Sequence, residues 1–201
     1  MDTRRITKTA TRITIGAFAI TTIATSAPTR ANEESTPVRA FGAVRLHEPT
    51  PERAEMLDWA IKRYRSAGLR MPAIDVYFHQ DDGGCGGYLG FTRNGRVDLC
   101  IRLAMEGQPQ RIALHELAHA WAEVRLDDET RNAFLDLRGL EGWNVTADDH
   151  KDRGTEQAAE IIAWGLGESS PQPFIFGDTT SAALADGFRL LTGVEPLGGA
   201  A

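Results

Sequence analysis

The order of periodicities along the 201-residue chain predicts an α+β fold. Three observations carry this. A helical pattern opens near Thr50, an alternating stretch and a hairpin signal at Asn94-Gly95 follow, and four helical patterns then run toward the C-terminal end. At 42% apolar composition the chain is long enough to bury one core, and its length argues against several folded domains.

Residues 1–31 differ in composition from the rest. Arg4, Arg5, Lys8 and Arg12 precede the run ITIGAFAITTIATSA, which ends in small residues near Ala27 and Ala31, the layout of a secretory signal peptide. The run is too short and too rich in Thr for a stable membrane span, which needs about 20 apolar residues. A secreted protein, in the extracellular space or cell envelope, is the expectation; a cytosolic disordered N-terminus is the alternative. Once residues 1–31 are removed, 17 Lys+Arg face 27 Asp+Glu. Such an acidic chain argues against nucleic acid and anionic membranes as partners.

Residues 32–49 are polar, with Pro37 and Pro49, and read as a flexible leader to a single domain over 50–195, with a short tail at 196–201. The first helix starts with Thr50 as N-cap and Pro51 at its first position, and carries Ala54, Leu57, Ile61 and Tyr64 on one face until Gly68. Over 73–79, Ile74, Val76 and Phe78 alternate with Asp75, Tyr77 and His79, the period of a half-buried strand. GYLGF and RVDLCI flank Arg93-Asn94-Gly95 as hairpin arms, so a small sheet of about three strands, antiparallel or mixed, is expected. The C-terminal half is helical. Pro109 can start a helix carrying Ile112, Leu114, Leu117, Ala118, Trp121 and Val124, and Asp127 or Asp128 can cap a second that ends at Gly139. Residues 140–153 form a polar loop, 155–166 a helix with Thr155 as its possible cap, and 181–191 the last helix.

Cys85 and Cys100 are the two cysteines, and in an exported chain such a pair reads first as a disulfide. A hairpin centred on Asn94-Gly95 sets Cys100 opposite Leu89, so the bridge requires the stretch Gly83, Gly84, Gly86, Gly87 to curl back. Two buried free thiols are the alternative. No second Cys or His lies at metal spacing from either cysteine, which excludes them as metal ligands.

His115-Glu116-Leu117-Ala118-His119 carries the chemistry. Residues four apart share a helix face, so both imidazoles can grip one ion. Glu116, about 100° round the helix, reaches a water on that ion rather than the ion itself. With five His and fourteen Glu, this pentamer arises by accident roughly once in a hundred such chains, so it outweighs a pair of merely structural histidines. A catalytic zinc usually takes a third protein ligand. Downstream, Glu156 and Glu160 lie one turn apart among small and apolar neighbours. Zinc would satisfy Glu156, and Glu160 would accept the other N–H of a ligating histidine, His115 first. In the alternative reading these acids only solvate a helix face.

In these residues the chain resembles the gluzincin zinc metallopeptidases, whose H-E-x-x-H is followed by a helix bearing a ligand Glu and, four residues on, an acid that orients a histidine. The resemblance covers His115 to His119 together with Glu156 and Glu160. Ala122 and Arg125 depart from the metzincin pattern, and Ala158 stands where aspzincins carry a ligand Asp. The resemblance implies a zincin-like fold with an active-site helix, a Zn2+ cofactor, a peptide or protein substrate, and Glu116 as general base. Gluzincins also place a His or Tyr beyond the ligand Glu to stabilise the oxyanion. This chain has no His after His150 and no Tyr after Tyr88, leaving His150 and Arg153 as the nearest candidates. That gap sustains a second functional reading, an exported zinc-binding domain without catalysis that binds a protein partner.

Overall fold

The computed structural model describes residues 37–79, 82–101, 108–144, 152–167 and 177–197, all within the unit Ser35–Ala201. The signal-peptide reading of residues 1–31 therefore lies outside the described residues. Alternation in the sequence becomes a five-stranded mixed sheet of order β1-β2-β3-β5-β4. Its strands are β1 (Val38–Phe41), β2 (Val44–His47), β3 (Ile74–Phe78), β4 (Gly90–Arg93) and β5 (Arg96–Leu99). β2, β3 and β5 run parallel, while β1 and β4 pair antiparallel at the two edges.

Two strands lie where a flexible leader was expected. The sequence from Val38 to His47 forms the hairpin β1-β2, and Val44 and Leu46 are fully buried while Arg45 is exposed. The leader reading of 32–49 is corrected for this part. Each strand is only four residues long and lies between prolines, so the alternation spans too few positions to stand out from polar surroundings.

Five helices follow the predicted order: α1 (Pro51–Ser66), α2 (Gln108–Arg125), α3 (Asp128–Arg138), α4 (Gly154–Leu166) and α5 (Ser181–Thr192). Thr50 and Asp127 accept hydrogen bonds from Arg53 N and Thr130 N, and α3 stops at Gly139 in the left-handed conformation. The expectation for α4 needs correction. Its N-cap is Arg153, and Thr155 lies inside the helix. The Gly154 and Thr155 amides donate instead to the carbonyls of Gly142 and Trp143, at 3.1 and 3.0 Å, so the loop backbone satisfies the orphan N–H groups that a side-chain cap would have taken.

The core joins the sheet to α1, α2 and α4. Val44, Val76, Val97 and Leu99 meet Leu57, Tyr64, Leu114 and Leu117 in one apolar cluster that also includes Ile161, Ile162 and Phe188. Each large side chain removed from water contributes about 1.5–3 kcal/mol, and this burial holds α2 between sheet and α4. Tyr64 donates its buried hydroxyl to Leu114 O at 3.0 Å, tying α1 to the turn of α2 just before His115. Among the described residues no helix is long and apolar enough to cross a membrane.

The hairpin register is the expected one. Gly90 pairs with Leu99, and Cys100 N–H donates to Leu89 O at 2.9 Å. Asn94 and Gly95, at φ 52 and 75, make the turn. Residues 82–85 form a short 3-10 turn, and Gly86 and Gly87 take positive φ, which carries Cys85 back to Cys100 in a disulfide with Cα atoms 6.1 Å apart.

Candidate metal centre

α2 turns His115 and His119 to one side, as their four-residue spacing requires. Their Nε2 atoms lie 3.0 Å apart with the rings nearly perpendicular. Glu156, in the first turn of α4, brings Oε2 to 3.3 Å from His115 Nε2 and 3.5 Å from His119 Nε2. A tetrahedral zinc with bonds of about 2.0–2.1 Å spaces its ligands roughly 3.3–3.5 Å apart, so the three atoms sit at close to ligand separations. His115, His119 and Glu156 form a group able to hold a metal ion.

Two further groups support this triangle. Glu160, one turn beyond Glu156, places Oε1 3.2 Å from His115 Nδ1, the atom facing away from the triangle. Arg111 donates to the same Oε1 at 2.6 Å. Arg111 was missed in the sequence, although it stands four residues before His115 and hence on the same helix face. Burial opposes the charge of His115, but the carboxylates of Glu156 and Glu160 overcome it and push His115 up to about 10. Glu156 is likewise opposed by burial, yet hydrogen bonds from His115 and His119 hold it well below the usual carboxylate range. Glu160 is also lowered, against burial, by His115 and Arg111. Without an ion the cluster is thus a buried histidinium between two carboxylates.

Glu116 is not part of the triangle. It is 6% exposed and turned toward the edge strand β4, where Thr92 Oγ1 lies 2.9 Å from Glu116 Oε2 and 3.0 Å from the Glu116 carbonyl oxygen. Gly90, two residues earlier on β4, faces the same side chain. Neither β4 residue was singled out in the sequence, because only the sheet order reveals which hairpin arm lies over α2.

The triangle and Glu116 open into a cleft of about 990 Å³. Its lining includes β4 with Tyr88 and Phe91, and also Trp143, Arg131 and Arg153. Trp143 is held edge-on by Phe134 with ring centroids 6.1 Å apart, and the Arg131 guanidinium lies 5.6 Å from the Trp143 ring centroid. Arg153 is half-buried at the start of α4. His150 lies outside the described residues. His47 and His79 stand apart from the cleft, each 2.6 Å from an aspartate, Asp75 and Asp98.

No family model, curated protein sequence or solved structure matches this chain. Fold and site together define a mixed α+β domain in which His115, His119 and Glu156, a group that could hold a metal ion, line a cleft.

Proposed function

We propose that this protein is a secreted zinc-dependent peptidase with a zincin-like fold and a gluzincin-type site. One observation carries the reading: a carboxylate that is not part of the ligand triangle, Glu116, opens into the same cleft as the three ligand atoms. A purely structural metal site closes its fourth position and has no use for a base beside it.

His115, His119 and Glu156 would hold the zinc, and Glu160 with Arg111 fixes the ring of His115. When bound, zinc supplies a Lewis acid for the scissile carbonyl and lowers the pKa of water to about 7. Glu116 takes the proton of the attacking water on its carboxylate and delivers it to the leaving amine. Among the described residues β4 is paired on one side only, by β5. An extended peptide can therefore add to its outer edge by main-chain hydrogen bonds and lie along the cleft. Arg153, which also lines the cleft, is the candidate for stabilising the oxyanion.

The lack of any His after His150 or Tyr after Tyr88 favours a second reading, a secreted zinc-binding domain that recognises a protein partner without hydrolysis. Elemental analysis of the full chain and of Glu156→Ala, with a mixed peptide library as substrate, separates the two. The peptidase reading expects one zinc per wild-type chain, weaker retention in the variant, and cleavage by the wild type. Stoichiometric zinc without cleavage supports the second reading, and no metal at all overturns both.

A further inference from the structure

We infer that Thr92 is a positioning residue which, together with Gly90, holds the Glu116 carboxylate in a single rotamer; its kinetic consequence rests on the peptidase reading above. A glutamate side chain turns about three bonds, and a base that wanders by about 1 Å from its working geometry can lose on the order of a hundredfold in rate. Glu116 is restrained from two directions by the same strand. Thr92 Oγ1 lies 2.9 Å from Oε2 and 3.0 Å from the Glu116 carbonyl oxygen, so its single hydrogen has both the end of the side chain and its main chain within reach. A hydroxyl suits that place because it can donate to the carboxylate from the strand.

The second restraint is steric. A Cβ added to Gly90 would collide with Glu116 Cγ, so Glu116 fills the volume that any other residue at position 90 would occupy. Gly90 and Thr92 are two residues apart and share one face of β4, which places absent side chain and hydroxyl along one line over α2. The edge strand offered to a substrate thereby also registers the base. Thr92 acts only through Glu116, and its removal therefore affects turnover rather than binding.

The test uses the full metal-free chain labelled with ¹³C and ¹⁵N, reading the χ1 rotamer of Glu116 from three-bond couplings of its Cγ to the backbone N and carbonyl C. Wild type and Thr92→Ser give couplings of one rotamer, Thr92→Val gives averaged couplings, and Gly90→Ala gives a different rotamer. If Thr92→Val does not fold, Thr92→Ala carries the comparison. Unchanged single-rotamer couplings in a folded Thr92→Val or Thr92→Ala protein overturn the inference. In the zinc-loaded protein, Thr92→Val lowers kcat about 10- to 100-fold with KM within about twofold, and Thr92→Ser restores it. The stated rotamer changes in the variants, together with a wild type that cleaves nothing, would sustain the clamp and refute the peptidase reading. A loss confined to KM, with kcat intact, would overturn the positioning role.

Discussion

Loading the metal-free protein with zinc at pH 7 should release about one proton per ion from His115, with up to about half a proton more from water on the ion. In the absence of an ion two carboxylates push His115 up to about 10. At pH 7 the ring therefore carries both hydrogens, one at Nδ1 beside Glu160 and one at Nε2 beside Glu156. A metal ligand must be deprotonated at the bonding atom, so the Nε2 hydrogen leaves while the Nδ1 hydrogen stays with Glu160. Each pH unit below about 10 then costs about tenfold in apparent affinity, or roughly 1.4 kcal/mol. Isothermal titration in two buffers of different ionisation enthalpy counts the protons directly. Glu156→Gln removes one of the anions that hold this proton, and its count should fall. A wild-type count near zero, or an affinity flat between pH 7 and 9, would refute the charge assignment.

The same histidinium makes the metal-free fold sensitive to base. A raised histidine pKa contributes stability that is fully present below the unfolded value near 6.5 and is lost as pH rises through about 10, so Tm of the metal-free chain should fall across that range. Glu156 is lowered, so its share is present above the ordinary glutamate value and lost as pH falls below it. The Cys85–Cys100 bridge spans 15 residues, and Cys85→Ala with Cys100→Ala should lose about 3 kcal/mol in denaturant titration. Leu117, fully buried between His115 and His119, anchors α2 in the core. Leu117→Ala should cost about 2–5 kcal/mol by thermal unfolding while one metal per chain is retained at saturation.

Much of this architecture is written in short-range signals. Thr50 and Asp127 cap where their side chains reach amides three residues on, and Asn94-Gly95 fixes a register that puts Cys100 against Leu89. Glu156 and Glu160 were readable for a similar reason, since acids one turn apart in an apolar helix must find partners. What stayed hidden depends on contacts distant in sequence. The start of α4 was misplaced because its amides are satisfied by the loop at Gly142 and Trp143, a partner no local pattern reveals. The insertion of β5 between β3 and β4 makes β4 the edge strand, and only that order brings Thr92 to Glu116. β1 and β2 escaped because four residues between prolines leave too little periodicity to read. Arg111 was within reach at four residues before His115, but its value as a support becomes visible only once Glu160 is beside it.

The central claim is that Glu116 serves as a base beside a metal held by His115, His119 and Glu156. Its most direct test is the rate of peptide cleavage by Glu116→Gln against wild type, at matched zinc content. The account predicts a loss of about 10²- to 10⁴-fold in kcat with one zinc retained per chain. Cleavage by the variant at the wild-type rate would contradict it.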